Sequence, residues 1–350
     1  MQKQIAFLYF FERFIKDSSK GRRRTAAGKR ITAGTIQQYH TVLKYLTLFE
    51  KQQHITLRIQ LLYGHSKKQF LCERNYWKKM KLLLETFLAV NFNCFDMYIS
   101  SVFKIMKTFF NYLHTEKGFP VGEFHRQFRF PSYSYQPVII NITQLQRIIN
   151  DEELRKALPQ HLAISLDIFI FGCVAGLRYN DLIHLKKIHV YLIGEKKYLQ
   201  LTTQKTGASV NIPLPHFAVD ILNRYKRKNG SYLFRRISNN NFNLHIKKIM
   251  EKAGYTYNVP KMRYKKGVLV EIKTKQGKTF RFCDHMSAHT MRRTAITTLL
   301  MLGVPELIVR KISGHAAGSK EFFRYVSLAQ DYTNMHLENA YEKLLNNHEV

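Results

Sequence analysis

Apolar residues in the first third of the chain recur with the period of an α-helix. Phe7, Phe10, Phe11, Phe14 and Ile15 fall at i, i+3, i+4, i+7 and i+8, one face of an amphipathic helix starting near residue 3. Ile36, Tyr39, Leu43 and Leu46 mark a second helix, and a third covers about 75–90. Val102, Ile105, Met106, Phe109 and Leu113 define a fourth, with Gly118 placed to cap it in the left-handed conformation. These aromatic stripes read as core. Three of the eight prolines, Pro120, Pro131 and Pro137, then fall within eighteen residues, and 130–137 has no helical period. Residues 128–142 therefore read as a linker.

Beyond it, a helix is expected to start near Thr143 with Gln146 closing a capping box. Another ends near Gly176 and a further one covers 179–186. The period then shortens to two. Runs at 188–193, 198–203 and 209–214 read as strands, and Val210, Ile212 and Leu214 alternate in the last. Lys205-Thr206-Gly207 forms the turn between the last two. Helices follow at 216–228 and 241–253, then a basic hairpin over 268–282 turning at Lys275-Gln276-Gly277, then helices from His289 to the C-terminus. No internal repeat is visible. The expected fold is mainly α with small β-hairpins (α+β). It comprises a helical domain over 1–127, a linker over 128–142 and a second domain over 143–350.

Charge sharpens this picture. The 350 residues carry 56 Lys and Arg against 24 Asp and Glu, a formal charge of +32, while 45% are apolar. A globular particle so charged repels itself, which points to a polyanion partner. Nucleic acid comes first and an anionic membrane surface second. The strongest apolar stretch, Ile168 to Leu177, is ten residues long, where a span needs about 20. Glu12 and Arg13 interrupt the apolar run from Ile5 to Phe11, so no secretory signal is read. Cys72, Cys94, Cys173 and Cys283 are too widely spaced for a metal knuckle or a disulfide framework, and a reducing, cytoplasmic setting is expected. The loop after the first helix concentrates Arg22, Arg23, Arg24, Lys29 and Arg30, which are candidate phosphate contacts.

Several chemistries drop out. Gly277-Lys278-Thr279 lacks the first glycine of a phosphate-binding loop, since Ile272 stands there. No HExxH is present, and His285 with His289 lacks a third ligand for zinc. Asp151-Glu152-Glu153 suits a helix's first turn better than a two-metal site. No metal and no cofactor are expected. Phosphodiester chemistry without a metal needs fixed cations around the phosphate, a nucleophile, and a proton donor for the leaving oxygen. His289-Thr-Met-Arg292 puts an imidazole and a guanidinium on one face of a helix's first turn. Ser313-Gly-His315, Tyr325, the pair Arg178 and Asp181, and Lys205 supply the remaining group types. Taken singly, each has an ordinary structural explanation: a surface helix, a helix cap, a core tyrosine, a surface ion pair, an exposed lysine.

Their order and spacing are more specific. Arg178, Lys205, His289, Arg292, His315 and Tyr325 together resemble the tyrosine recombinase (phage integrase) family. Gly176-Leu-Arg178 looks like its first arginine box and Lys205-Thr-Gly207 like its β-hairpin lysine. His289-Thr-Met-Arg292-Arg-Thr, Leu302-Gly-Val304 and Ile312-Ser-Gly-His315 look like its second box. The resemblance covers about 143–328, and the hairpin region 259–284 is similar to an insertion in integrases of conjugative transposons and related bacterial mobile elements. The gap from His315 to Tyr325 is about one residue longer than in many members, with Gly318 absorbing the excess and Tyr332 the alternative nucleophile.

The resemblance implies a helical core-binding domain and a catalytic domain closing on duplex DNA as a C-shaped clamp. It implies that Tyr325 forms a 3′-phosphotyrosine while Arg178 and Arg292 clamp the phosphate. Lys205 would then be the general acid, His289 a base or hydrogen-bond partner, and His315 a phosphate ligand. Asp181 would orient the Arg178 region. It further implies a synaptic tetramer joined through the C-terminal helix (Leu337, Ala340, Tyr341, Leu344), a possible host DNA-bending protein, and integration or excision of a mobile element. An arm-binding domain is not expected before the first helix. The alternatives are a type IB topoisomerase-like strand transferase and a DNA-binding regulator without catalysis.

Overall fold

The computed structural model describes residues 4–64, 66–131, 133, 137–204, 207–225, 230–316, 318–329, 334, 337–338 and 341–342. The chain divides into two compact units, one of 1–135 with 262–271 and the other of 136–261 with 272–350.

In the first unit, β1 (Gln4–Ala6) pairs antiparallel with β2 (Arg58–Gln60), and α1 (Phe7–Ser19) follows directly. Residues 4–6 are therefore strand, where the periodicity alone suggested helix. Next come α2 (Ala33–Gln53), capped by Thr32, and α3 (Lys67–Asn91). α3 starts well before residue 75 because Ser66 and Gln69 form a capping box ahead of its polar first turns. α4 (Asp96–Asn111) continues into a wider turn over Tyr112–Glu116 and ends just before Gly118, whose φ is 65°. The predicted stripes converge. Phe7, Phe11 and Phe14 of α1, Trp77 of α3, and Phe109 and Phe110 of α4 are all buried. Phe7 stands 4.8 Å from Phe109 and 5.4 Å from Trp77 between ring centroids, spacings typical of favourable aromatic pairs.

Glu73 is the polar pin of this core. Its carboxylate accepts from Arg58 Nη1 (2.6 Å), the Gln60 amide (2.9 Å) and Trp77 Nε1 (3.0 Å), tying α3 to β2. Removing a buried carboxylate so bonded would leave its three donors without their partner.

The second unit opens with α5 (Ile142–Asn150), α6 (Glu152–Ala157) and α7 (Gln160–Ala175). The capping box of α5 is Asn141 with Gln144, two residues earlier than expected. Asn accepts from the third helical amide as well as Thr does, so the cap moved to it. After α8 (Tyr179–Ile183) comes an antiparallel sheet of β3 (Val190–Ile193), β4 (Lys196–Thr202) and β5 (Ser209–Pro213), ordered β3-β4-β5. Val210 and Ile212 face the core, as their alternation predicts. α9 (His216–Tyr225) and α10 (Asn239–Lys252) follow.

The basic hairpin is shifted from its expected place. Its strands are β6 (Lys261–Lys265) and β7 (Val268–Ile272), and it turns at Lys266 and Gly267, with φ of 52° and 78°. Two successive left-handed residues match the twist of a two-residue hairpin loop. Residues 274–278 make a separate turn, with Thr274 donating to Lys278. The expected second domain of 143–350 also loses residues 262–271, which belong to the first unit.

The unit closes with α11 (Ala288–Met301), α12 (Glu306–Ser313) and α13 (Lys320–Leu328). α11 lies against α7 so closely that a Cβ on Gly172 would come within 2.5 Å of Met291 Sδ. Among the described residues, no helix is long and apolar enough to cross a membrane.

The polar pin gives a test of the first core. Glu73→Gln keeps shape but loses the charge that three donors face, and should lower unfolding free energy by about 2–3 kcal/mol. Urea titration of the variant against the parent reads this directly, and a change below about 0.5 kcal/mol would contradict it.

Candidate active site

Two chain reversals bring the site together in the second unit. α7 ends at Gly176, whose φ of 62° only glycine adopts without strain. Arg178 then stands at the N-terminal cap of α8. The carbonyl of Gly176 accepts from Arg292 Nη1 at 2.9 Å, so the turn after α7 is pinned to the first turns of α11. α12 ends at Gly314, with φ of 63°, and the reversal presents His315 to the same guanidinium.

Arg292 is only 2% exposed. Its Nη2 donates to the His315 ring, 3.0 Å from Nε2. Ser313 Oγ donates to the Val309 carbonyl (2.6 Å) and lies 2.8 Å from His315 Nδ1. Because an arginine can only donate, Nε2 of His315 is the acceptor, and the proton sits on Nδ1, shared with Ser313. His315 is therefore a neutral imidazole. Burial first, then the charges of Arg292 and Arg178, push it down to about 3. The same causes act on Arg292: burial and Arg178 lower it to about 10, while Tyr325 and Asp181 offset part of the shift.

His289 sits in the first turn of α11. Its Nε2 is 3.5 Å from the Tyr325 hydroxyl. Burial, then Arg293 and Arg292, push His289 down to about 4, so it too is neutral near pH 7 and able to accept a proton. Tyr325, on α13, is 5% exposed and packs beside Ile296, Leu300, Val309 and Phe322, with its ring 5.7 Å from that of His315. Nη1 of Arg178 is buried and has no hydrogen-bond partner among the described residues.

Of the six predicted catalytic positions, Arg178, His289, Arg292, His315 and Tyr325 thus meet within one region of the second unit. Lys205 lies outside the described residues, and the residues on either side of it are joined by hydrogen bonds. Thr203 Oγ1 donates to the Ala208 carbonyl (3.2 Å), and the Gly207 amide donates to the Thr203 carbonyl (2.9 Å). Asp181, buried, accepts from the Gln204 amide at 2.9 Å, and Asn180 Nδ2 donates to Gln204 Oε1 at 2.6 Å. Asp181 therefore ties α8 to the β4–β5 turn, and not, as expected, to Arg178 itself. A Cβ on Gly314 would lie 3.5 Å from Thr203 and 3.6 Å from Ala208, which places the same turn base against the His315 loop.

Ser313 and Gln204 were given no role by the sequence. Ser313 was visible inside the motif around His315, but its effect on the imidazole tautomer needs geometry. Tyr332, the alternative nucleophile, lies outside the described residues. In the C-terminal tail, Leu337 and Tyr341 are exposed, whereas Met335, Ala340 and Leu344 lie outside the described residues. His285 Nε2 lies 2.8 Å from the Val259 carbonyl.

The basic loop of the first unit behaves unevenly. Arg23 is not a surface cation. It is buried, bonded to Glu116 Oε1 (3.0 Å) and Ser18 Oγ (2.9 Å), and stacked over Phe14 at 4.2 Å. Those contacts hold the end of α1, so its charge is spent inside the fold. Arg22 pairs with Asp17 at 3.3 Å, and Arg24 Nη1 donates to the Gly28 carbonyl, while Arg24, Lys29 and Arg30 remain exposed. A second cationic patch was not foreseen. Burial, then Arg129, Lys104 and Lys81, lower the Lys107 ammonium, so four cations from α3, α4 and the segment after them crowd together. Beside them Arg74, Lys78 and Lys81 line a groove of about 430 Å³.

The family model described as the phage integrase family matches residues 142–331. Comparison with curated proteins finds no match. Among solved structures, the chain is similar to a λ integrase dimer bound to a COC′ core site (TM-score 0.54, 14% identity, covering 94% of this chain and 78% of that one). It is also similar to the XerH recombinase bound to palindromic difH substrate (0.57, 12%, 95% and 94%). A third is the Tn1549 transposon integrase with circular intermediate DNA (0.59, 12%, 92% and 94%). At these identities the likeness is one of fold.

The neutral histidines carry a pH signature. An unfolded histidine titrates near 6.5, whereas His289 and His315 titrate at about 4 and about 3 when folded. The unfolded chain takes up their protons first, so their contribution is fully present above pH 6.5 and is lost as pH falls toward 4 and below. Urea midpoints should drop across this window, and a His289→Asn/His315→Asn double variant should show a shallower drop. An unchanged slope would contradict neutral buried imidazoles.

Proposed function

The chain belongs to the phage integrase family, and from that premise we propose that it is a site-specific DNA recombinase that cuts and rejoins strands through a covalent 3′-phosphotyrosine at Tyr325. One observation carries this reading: two guanidiniums, Arg178 and Arg292, share a buried site with the Tyr325 hydroxyl, which itself lies against Arg292, and the other groups bonded to Arg292 are a carbonyl and a neutral imidazole. Neither cancels its charge. Such a site favours an anion, and a phosphodiester is the anion a +32 protein with a buried tyrosine nucleophile is suited to attack.

In the proposed reaction the Tyr325 oxygen bonds to phosphorus as the bond to the 5′-oxygen breaks. The phenol proton passes toward His289, whose neutral Nε2 faces it, and Lys205 gives a proton to the departing 5′-oxygen. Arg178 and Arg292 hold the non-bridging oxygens, and His315, steadied by Ser313, completes the cradle. Asp181 acts through the Gln204 amide to hold the turn that carries Lys205. The phosphotyrosine keeps the energy of the broken diester, so a free 5′-hydroxyl of another strand can reverse the step without ATP. We further propose that Arg22, Arg24, Lys29, Arg30 and the Lys81–Lys104–Lys107–Arg129 patch contact duplex phosphates. Under this reading protomers assemble as a synaptic tetramer through the C-terminal helix, with a host DNA-bending protein as a possible accessory, and move a mobile element in the bacterial cytoplasm.

Two outcomes are expected on a duplex carrying the recombination site, taken from inverted repeats flanking the gene. Tyr325→Phe should bind DNA like the parent and yield no covalent adduct on a nicked trapping substrate, and an adduct in the variant would move the nucleophile elsewhere. Arg292→Ala should slow cleavage by about 10²–10³-fold, and parental cleavage should persist in EDTA. Strict dependence on a divalent ion would contradict the mechanism.

A further inference from the structure

The β6–β7 hairpin leaves the second unit at residue 262, belongs to the first unit, and returns at 271. Its tip is held by one side chain. Asp96, in the first turn of α4, accepts the Lys266 amide on one carboxylate oxygen and the Gly267 amide on the other, both at 2.8 Å. The paired left-handed conformations of Lys266 and Gly267 aim both amides the same way, which is why one carboxylate takes both. Lys265 Nζ reaches Asn93 Oδ1, and Tyr264 stacks on Tyr133 with ring centroids 3.7 Å apart. An isolated two-stranded ribbon is marginal in water, so these contacts fix its position. Val268 and Leu269 at the tip are 62% and 46% exposed, so little apolar burial supports them.

We propose that Asp96 is the latch of a second tether between the units, and that closing this latch prolongs residence on duplex DNA. The inference rests on the reading above, in which both units bind the same duplex. The covalent linker near 135–136 is one tether. The latched hairpin adds another and closes a loop 170 residues long between Asp96 and Lys266. Two modules on one ligand bind with an avidity set by the effective concentration of the second module once the first is bound. A second tether narrows the volume that module explores and raises that concentration. Asp96 itself need touch no phosphate, and as a carboxylate it would repel one.

The test uses the full chain with Asp96→Ala, and with Asp96→Ser, which suits a helix's first turn yet is too short to accept both amides. Limited trypsin digestion reads cleavage after Lys265 and Lys266, and circular dichroism checks that the helices persist. A fluorescein-labelled 40-base-pair duplex, chased with excess unlabelled duplex, reads dissociation. Both variants should expose the tip to trypsin and dissociate about tenfold faster, with association little changed. Tip cleavage at the parental rate in both variants would overturn the latch. Tip release with unchanged dissociation would overturn its role in residence. A parent that does not hold duplex at all would instead overturn the recombinase reading, and the digestion would still report on the latch.

Discussion

Arg292 governs the second unit. A guanidinium at 2% exposure must be satisfied by something, and a carboxylate would be the ordinary choice. Here the satisfying groups are the Gly176 carbonyl and the lone pair of a neutral His315. Each leaves the positive charge standing, and Arg178 adds a second charge close enough to lower Arg292. The arrangement is expensive without an anion and favourable with one. It also dictates local structure: the left-handed turn at Gly176 exposes that carbonyl, the left-handed turn at Gly314 delivers the imidazole, and Ser313 sets the tautomer that lets the imidazole accept.

The same economy of charge separates the two histidines from the usual solvated kind. Burial first, and then the neighbouring arginines, keep both neutral near pH 7. For His289 this leaves one ring nitrogen with a free lone pair, which a protonated ring would not offer, and its Nε2 lies 3.5 Å from the Tyr325 hydroxyl. Under the proposed function, the negative charge of a bound phosphate would relieve the repulsion and raise both histidines, coupling proton uptake to binding.

Much of this was legible in the sequence because it depends on short-range spacing. His289 and Arg292 lie three apart on a helix, Gly176 precedes Arg178 by two, and Gly314 adjoins His315, so local rules place each pair. The long-range assembly was readable only through resemblance. Other features escaped for definable reasons. Lys266-Gly267 makes the hairpin turn, yet a lysine in a left-handed conformation carries no sequence signal comparable to Asn-Gly. β1 is three residues long, below any periodicity. Arg23 looked like its neighbours in a basic run, and only its contacts with Glu116 and Phe14 show that it is core. The Lys81–Lys104–Lys107–Arg129 patch draws on three separated segments, so no window along the chain contains it. Asp181 was assigned to the arginine it follows by three residues, when its partner is a backbone amide 23 residues on.

The central claim is that these cations serve a tyrosine that bonds to phosphorus, and the bonded atom can be located directly. Trypsin would cut after Arg324 and Lys343, releasing a peptide that holds Tyr325, Tyr332 and Tyr341. After reaction with a nicked duplex and nuclease trimming, fragmentation mass spectrometry of that peptide identifies which tyrosine carries the nucleotide. The account predicts the phosphonucleotide on Tyr325 alone. Its appearance on Tyr332, on Tyr341 or on a residue outside this peptide would contradict it.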